Sequence, residues 1–242
     1  MVENPLTQEL CTAAMLGNLE KIKPLVGQGA DVNGYKTDEL GNRLSVLLWA
    51  IAFGQAEAAV FLIENGGDVQ TRDSHGKTTL MWSVGRDNLG LTRLLVDKGV
   101  DVQAVDDQGM AALMEAAVSG LVEAAQLLLD KGAEINARDQ QGRTALLHAM
   151  GQWRAPLDMV TLLVARGADI QAQDSLGNTP LMRAAWGCKL DVVQFLVEHG
   201  ADVHARDLQG KTVLDLFETP DFRHSSPVVK GYLLEIRERL IM

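Results

Sequence analysis

The stretch "DSLGNTPL", residues 174–181, decides how the rest of the chain is read. Asp174 and Gly177 have the chemistry of a tight turn, glycine reaching backbone angles closed to other residues. Thr179 follows as a helix N-cap, and Pro180 suits the first helical position, where its missing N–H costs nothing. The same phrase recurs as "DSHGKTTL" (73–80), "DQQGRTAL" (139–146) and "DLQGKTVL" (207–214). A weaker copy, "DDQGMAAL" (106–113), has lost the threonine, and "DELGNRLSVL" (38–47) carries two extra residues and offers Ser45 as its cap. The turn glycines Gly41, Gly76, Gly109, Gly142, Gly177 and Gly210 are spaced by 35, 33, 33, 35 and 33 residues. So regular a period marks a repeat architecture.

A second phrase closes each unit: "GADVN" (29–33), "GGDVQ" (66–70), "GVDVQ" (99–103), "GAEIN" (132–136), "GADIQ" (167–171) and "GADVH" (200–204). Between the phrases lie a short helix rich in small residues, such as "LMRAA", and a second with apolar residues at helical spacing, such as "LDVVQFLVEHG" (190–200). Neither helix is long enough to stand alone, so burial must come from the neighbouring unit. Inserted pairs enlarge the region around "NGYKTD" (33–38) and "NRLSVL" (42–47), and another lengthens the loop "GQWRAP" (151–156).

A period of 33 with these two phrases resembles the ankyrin repeat family across nearly the whole chain. The resemblance implies an all-α solenoid of stacked helix-turn-helix units with β-hairpin fingers, about seven repeats including atypical end caps. The expected organisation is a single domain over 1–242. Within it, 1–37 is an N-terminal capping repeat, 38–206 holds five internal repeats and 207–242 is a C-terminal capping repeat. The family's T-P-L-H histidine is absent throughout; its place holds Cys11, Leu48, Met81, Met114, Leu147, Met182 and Asp215.

Composition narrows the function classes. Of 242 residues, 22 are Lys or Arg and 32 are Asp or Glu, a net charge of −10. That balance argues against phosphate-backbone binding and against anionic membrane surfaces. Residues 1–121 hold 9 basic and 16 acidic groups, so a charge-steered partner would be basic and favour this half. Two cysteines, Cys11 and Cys188, point to a reducing, cytoplasmic setting rather than a disulfide framework. The N-terminus lacks the pattern of a signal peptide, although export by a specialised system would escape that test. No run approaches the 18 to 20 apolar residues that span a bilayer.

No cofactor or metal motif is present: the glycines are turn and cap glycines, and the five histidines are scattered over different elements. Family resemblance instead implies a non-catalytic module, an adaptor or inhibitor, that holds a protein partner through its fingers and the concave face of the first helices. If Leu181 and Ala185 face the core, Arg183, Trp186 and Gly187 share another face. The equivalent positions are Trp49, Ala52 and Phe53; Trp82, Gly85 and Arg86; Glu115, Val118 and Ser119; and His148, Gly151 and Gln152. Trp153, in the lengthened loop, belongs to the same side. Trp49, Phe53 and Trp82 read either as an aromatic anchor for a partner or as filler between first helices. Two alternatives of other classes stand beside the adaptor: a small-molecule or catalytic site on the row Glu115, His148 and Arg183, and a structural protein that self-associates, with a monomer the default. Arg72, Arg138 and Arg206, just before the turn aspartates, are expected to pair with Asp73, Asp139 or Asp207.

Overall fold

The computed structural model describes residues 4–37, 41–151, 157–218 and 226–241. Two compact units divide the chain. The first comprises residues 1–115 with 130–133; the second comprises 116–129 with 134–242.

Unit 1 alternates short and slightly longer helices. It runs α1 (Pro5–Met15), α2 (Leu19–Gly27), strands β1 (Tyr35–Thr37) and β2 (Arg43–Ser45), α3 (Val46–Ala52), α4 (Ala56–Glu64), α5 (Thr79–Gly85) and α6 (Leu89–Asp97). The first helices α1, α3 and α5 pack side by side, and each packs on its own second helix. The inserted residues are used in the finger: β1 and β2 pair antiparallel with Tyr35 opposite Ser45 and Thr37 opposite Arg43. The fingers without the insertion close with a single bridge, Arg72 to Thr78 and Val105 to Ala111.

The division falls inside α7 (Ala112–Ser119) and at the end of α8 (Val122–Asp130). Unit 2 continues with α9 (Ala145–Met150), α10 (Leu157–Ala165), α11 (Pro180–Trp186), α12 (Leu190–Glu198), α13 (Val213–Leu216) and α14 (Pro227–Ile241). Here α11 packs on α9, α12 and α13, while α14 lies against α12 and α13 with Val229 and Leu233 fully buried.

Local chemistry explains why the helices start and stop where they do. Ser45, Thr78, Thr144, Thr179 and Thr212 are N-caps whose hydroxyls accept from the amides of Leu48, Met81, Leu147, Met182 and Asp215. Second helices end at a glycine with positive φ, from Gly29 to Gly200, as a left-handed C-cap requires. Gly177 carries a further constraint, because a Cβ there would lie 2.6 Å from the Leu208 amide nitrogen of the next finger. The core is written by the small-residue helices: Ala13, Ala14, Ala50, Ala116, Ala149, Ala184 and Ala185 are all buried. Such residues let helix backbones approach, and larger groups such as Leu80, Met114, Leu146 and Met182 fill what is left.

Candidate docking surface

Each finger is organised by its turn aspartate. One carboxylate oxygen, Oδ1, accepts from two backbone amides, two and four residues on. Asp73 takes those of His75 and Lys77 at 2.8 and 2.9 Å, and Asp174 takes those of Leu176 and Asn178 at the same distances. Asp106, Asp139 and Asp207 repeat the arrangement. In three of these fingers the second oxygen, Oδ2, accepts from a donor on the first helix, nine residues on. Trp82 donates its indole Nε1–H to Asp73 at 3.0 Å. His148 reaches Asp139 through Nε2 at 2.8 Å. Arg183 donates to Asp174 through Nε at 3.0 Å and through its terminal nitrogen.

These contacts set the protonation states. Burial alone would raise the Asp139 carboxyl, but hydrogen bonds from Arg143 and His148 outweigh it and hold the group below the ordinary carboxylate range. Asp174 is likewise held low, by Arg183, Asn178 and backbone amides acting against its burial. His148 is buried, and burial lowers its affinity for a proton; the nearby charges of Arg143 and Arg183 act the same way, against the hydrogen bond with Asp139. A neutral imidazole bonded to a carboxylate through Nε2 carries its proton on that nitrogen.

The candidate residues therefore divide by what they touch. In unit 1, Trp49 is 7% exposed and stacks on Phe53 with ring centroids 5.6 Å apart. Its indole nitrogen is buried with no hydrogen-bond partner among the described residues. Trp49 occupies the position of Trp82, and the matching turn aspartate, Asp38, lies outside the described residues. Trp82 is half-buried, with Lys77 Nζ 4.8 Å and the Arg86 guanidinium 5.5 Å from its ring centroid. Glu115 pairs with Lys77 at 3.3 Å. Phe53 and Arg86 are exposed.

In unit 2, His148 and Arg183 are bound to their own turn aspartates, Ser119 is exposed, and Trp186 is 58% exposed. Gln152 and Trp153 lie outside the described residues. The arginines before the turns bond to carbonyls rather than to aspartates: Arg72 to Gly76 and Val105, Arg138 to Gly142 and Gln173, and Arg206 to Gly210. One terminal guanidinium nitrogen bridges two carbonyl oxygens in this way because it carries two N–H donors.

One exposed residue was absent from the sequence-based set. Leu16, 64% exposed, is the C-cap of α1, as Phe53 is of α3 and Arg86 of α5. On three packed first helices the C-cap row thus reads leucine, phenylalanine, arginine. The signal was available in the alignment of "AAMLGN" with "AIAFGQ" and "SVGRDN". A cavity of about 240 Å³ beneath the fingers is lined by Gln70, Arg72, Thr79 and Asp101, among others. Gln70 and Arg72 there donate to the Gly99 and Val105 carbonyls. No helix among the described residues is long and apolar enough to cross a membrane.

The family model described as ankyrin repeats in three copies matches this chain in overlapping placements over residues 10–106, 47–139, 88–174 and 113–207. The structure is similar to the human ASB11 ankyrin repeat domain, with a TM-score of 0.78 at 27% identity, over 96% of this chain and 97% of that one. It is also similar to the ankyrin repeat domain of Bcl-3, a member of the IkappaB protein family, with a TM-score of 0.74 at 28% identity, over 93% and 97%. Among curated proteins none matches the sequence.

Proposed function

We propose, from the premise that this chain belongs to the ankyrin repeat family, whose domains generally mediate protein–protein interactions, that it is a non-catalytic adaptor or inhibitor. Its partner is a protein that docks on the C-cap row of unit 1. The observation that carries this reading is the exposure of two large apolar side chains, Leu16 and Phe53, at the same position of neighbouring helices. Large exposed apolar groups held on rigid helices favour partner anchoring. Phe53 is preorganised by its stack on the buried Trp49, so little side-chain freedom is lost on docking. The acidic balance of residues 1–121 supports a partner with basic groups around an apolar centre. Cysteine usage supports a cytoplasmic setting.

The test is capture of partners from a lysate of the source cell, identified by mass spectrometry, with wild type beside Phe53→Asp and Leu16→Asp. Both side chains are more than half exposed, so the substitutions leave the fold intact, which circular dichroism checks. Loss of one specific protein with both variants supports the docking surface. Retention of every captured protein by both variants removes it.

A further inference from the structure

Within unit 2 each finger is joined to the next by the same three sets of hydrogen bonds. The last residue of the G-A-D phrase forms a ladder: Asn136 donates to the Gly167 carbonyl and accepts from the Asp169 amide, and Gln171 does the same with Gly200 and Asp202. A side chain two residues further on, Arg138 or Gln173, donates to a carbonyl of the following hairpin, that of Gln173 or Arg206. At the fingertip the Gln141 carbonyl accepts the Ser175 amide, and the Leu176 carbonyl accepts the Leu208 amide. Unit 1 uses the same scheme, with Asn33, Gln70 and Gln103 in the ladder and Arg72 bonded to Val105.

The hairpin 200–211 presents all three positions, and among the described residues no hairpin follows it. His204 stands at the ladder position and is exposed. Its imidazole has both a donor and an acceptor, as the Asn and Gln amides do. Arg206 bonds to Gly210, as Arg72 and Arg138 bond to the matching glycines, but among the described residues no carbonyl of a following hairpin meets it. The Gln209 carbonyl is the counterpart of those of Gln141 and Leu176. Beside it, Leu208 is 77% exposed, next to Leu176 at 64%. The helical layer of this end is covered, because α14 lies against α12 and α13. Among the described residues, none of the following chain pairs with the finger layer as the earlier fingers pair with one another.

We infer that the hairpin 200–211 binds an extended segment of a partner protein, which takes the place of a following finger. The segment lays a backbone carbonyl against Arg206, an amide against the Gln209 carbonyl and an apolar side chain against Leu208 and Leu176. Continuity with the finger-to-finger interface already built in this unit argues for such an occupant. Stacking of a second copy is disfavoured, since α14 occupies the face on which its helices would have to pack. These residues are distinct from the C-cap row proposed above, and the inference does not depend on it.

The probe is a synthetic peptide of residues 200–211, with its ends tied by a disulfide between added terminal cysteines and a fluorescent label. It is titrated into the full chain, and amide shifts are followed by NMR. Saturable binding with shifts confined to 200–211 and to Leu176 is the expected result. Arg206→Ala and Leu208→Asp should each weaken it about tenfold, the loss expected from removing one hydrogen bond or one apolar contact. No binding, shifts outside these residues, or wild-type affinity in both variants overturns the inference. Sedimentation of the protein alone completes the test. Concentration-dependent dimers that Leu208→Asp dissolves would assign this edge to a second copy and overturn the partner assignment.

Discussion

At the residue scale, the buried pair Asp139 and His148 gives the protein a defined acid sensitivity. His148 has its proton affinity lowered by burial, so the unfolded chain, with an ordinary histidine near 6.5, binds the proton more tightly. Its contribution to stability is therefore complete above that value and is lost as pH falls below it. Asp139 is held below its ordinary value of 3.8, so its contribution is present above that value and is lost as pH falls through the lowered one. Of the two, the His148 loss begins first as pH falls, because its ordinary value lies above that of Asp139. Replacing His148 by Gln keeps an N–H to donate to Asp139 and removes the titration. Urea midpoints measured from pH 8 to pH 4.5 should fall more steeply for wild type below about 6.5 than for His148→Gln. Parallel curves would mean that the imidazole binds its proton equally well in the folded and the unfolded chain.

At the element scale, the finger and the first helix behave as one piece, because the turn aspartate reaches nine residues forward. The sequence made the turn, the cap and the small-residue helix legible, since each depends on local chemistry repeated at one period. It did not reveal the latch: nine residues that cross a turn and a helix start match neither the 3.6 nor the 2.0 periodicity on which patterning rests. Trp82, His148 and Arg183 share only the ability to donate a hydrogen bond, so residue type hides the equivalence. The depth of Trp49 was hidden for another reason. A helical face gives direction, and burial depends on the neighbours that close over it. The repeat of Asp106 breaks the rule, with Glu115 where the donor belongs and Lys77 as its ion partner. Changing Glu115 to His should supply Asp106 with the contact that His148 gives Asp139. A hydrogen bond to a charged acceptor contributes roughly 1.5–3 kcal/mol, against about 0.2–1 kcal/mol for the lost ion pair. A net stabilisation of about 1 kcal/mol is expected by chemical denaturation. A variant less stable than wild type would show that position 115 does not present its side chain to Asp106 as position 148 does to Asp139.

At the scale of the whole molecule, repetition means that stability is a sum of local terms, each repeat holding its neighbours. The ends then matter most, because an end repeat is supported on one side. In unit 2 that support is α14, a helix outside the repeat pattern that seals the last units with Val229 and Leu233. The two recurring phrases stop before this segment, so no motif in the sequence announces its contact with α12 and α13. Truncating Leu233 to Ala removes a fully buried side chain and should cost about 2–5 kcal/mol locally. In a repeat array such a loss is felt first beside the defect and fades with distance. Hydrogen exchange followed by mass spectrometry should therefore show the largest loss of protection in α12 and α13, a smaller one in α11, and the least in α9. Uniform loss across all four helices would mean that unit 2 unfolds as a single cooperative block, and the picture of additive repeats would have to be abandoned for it.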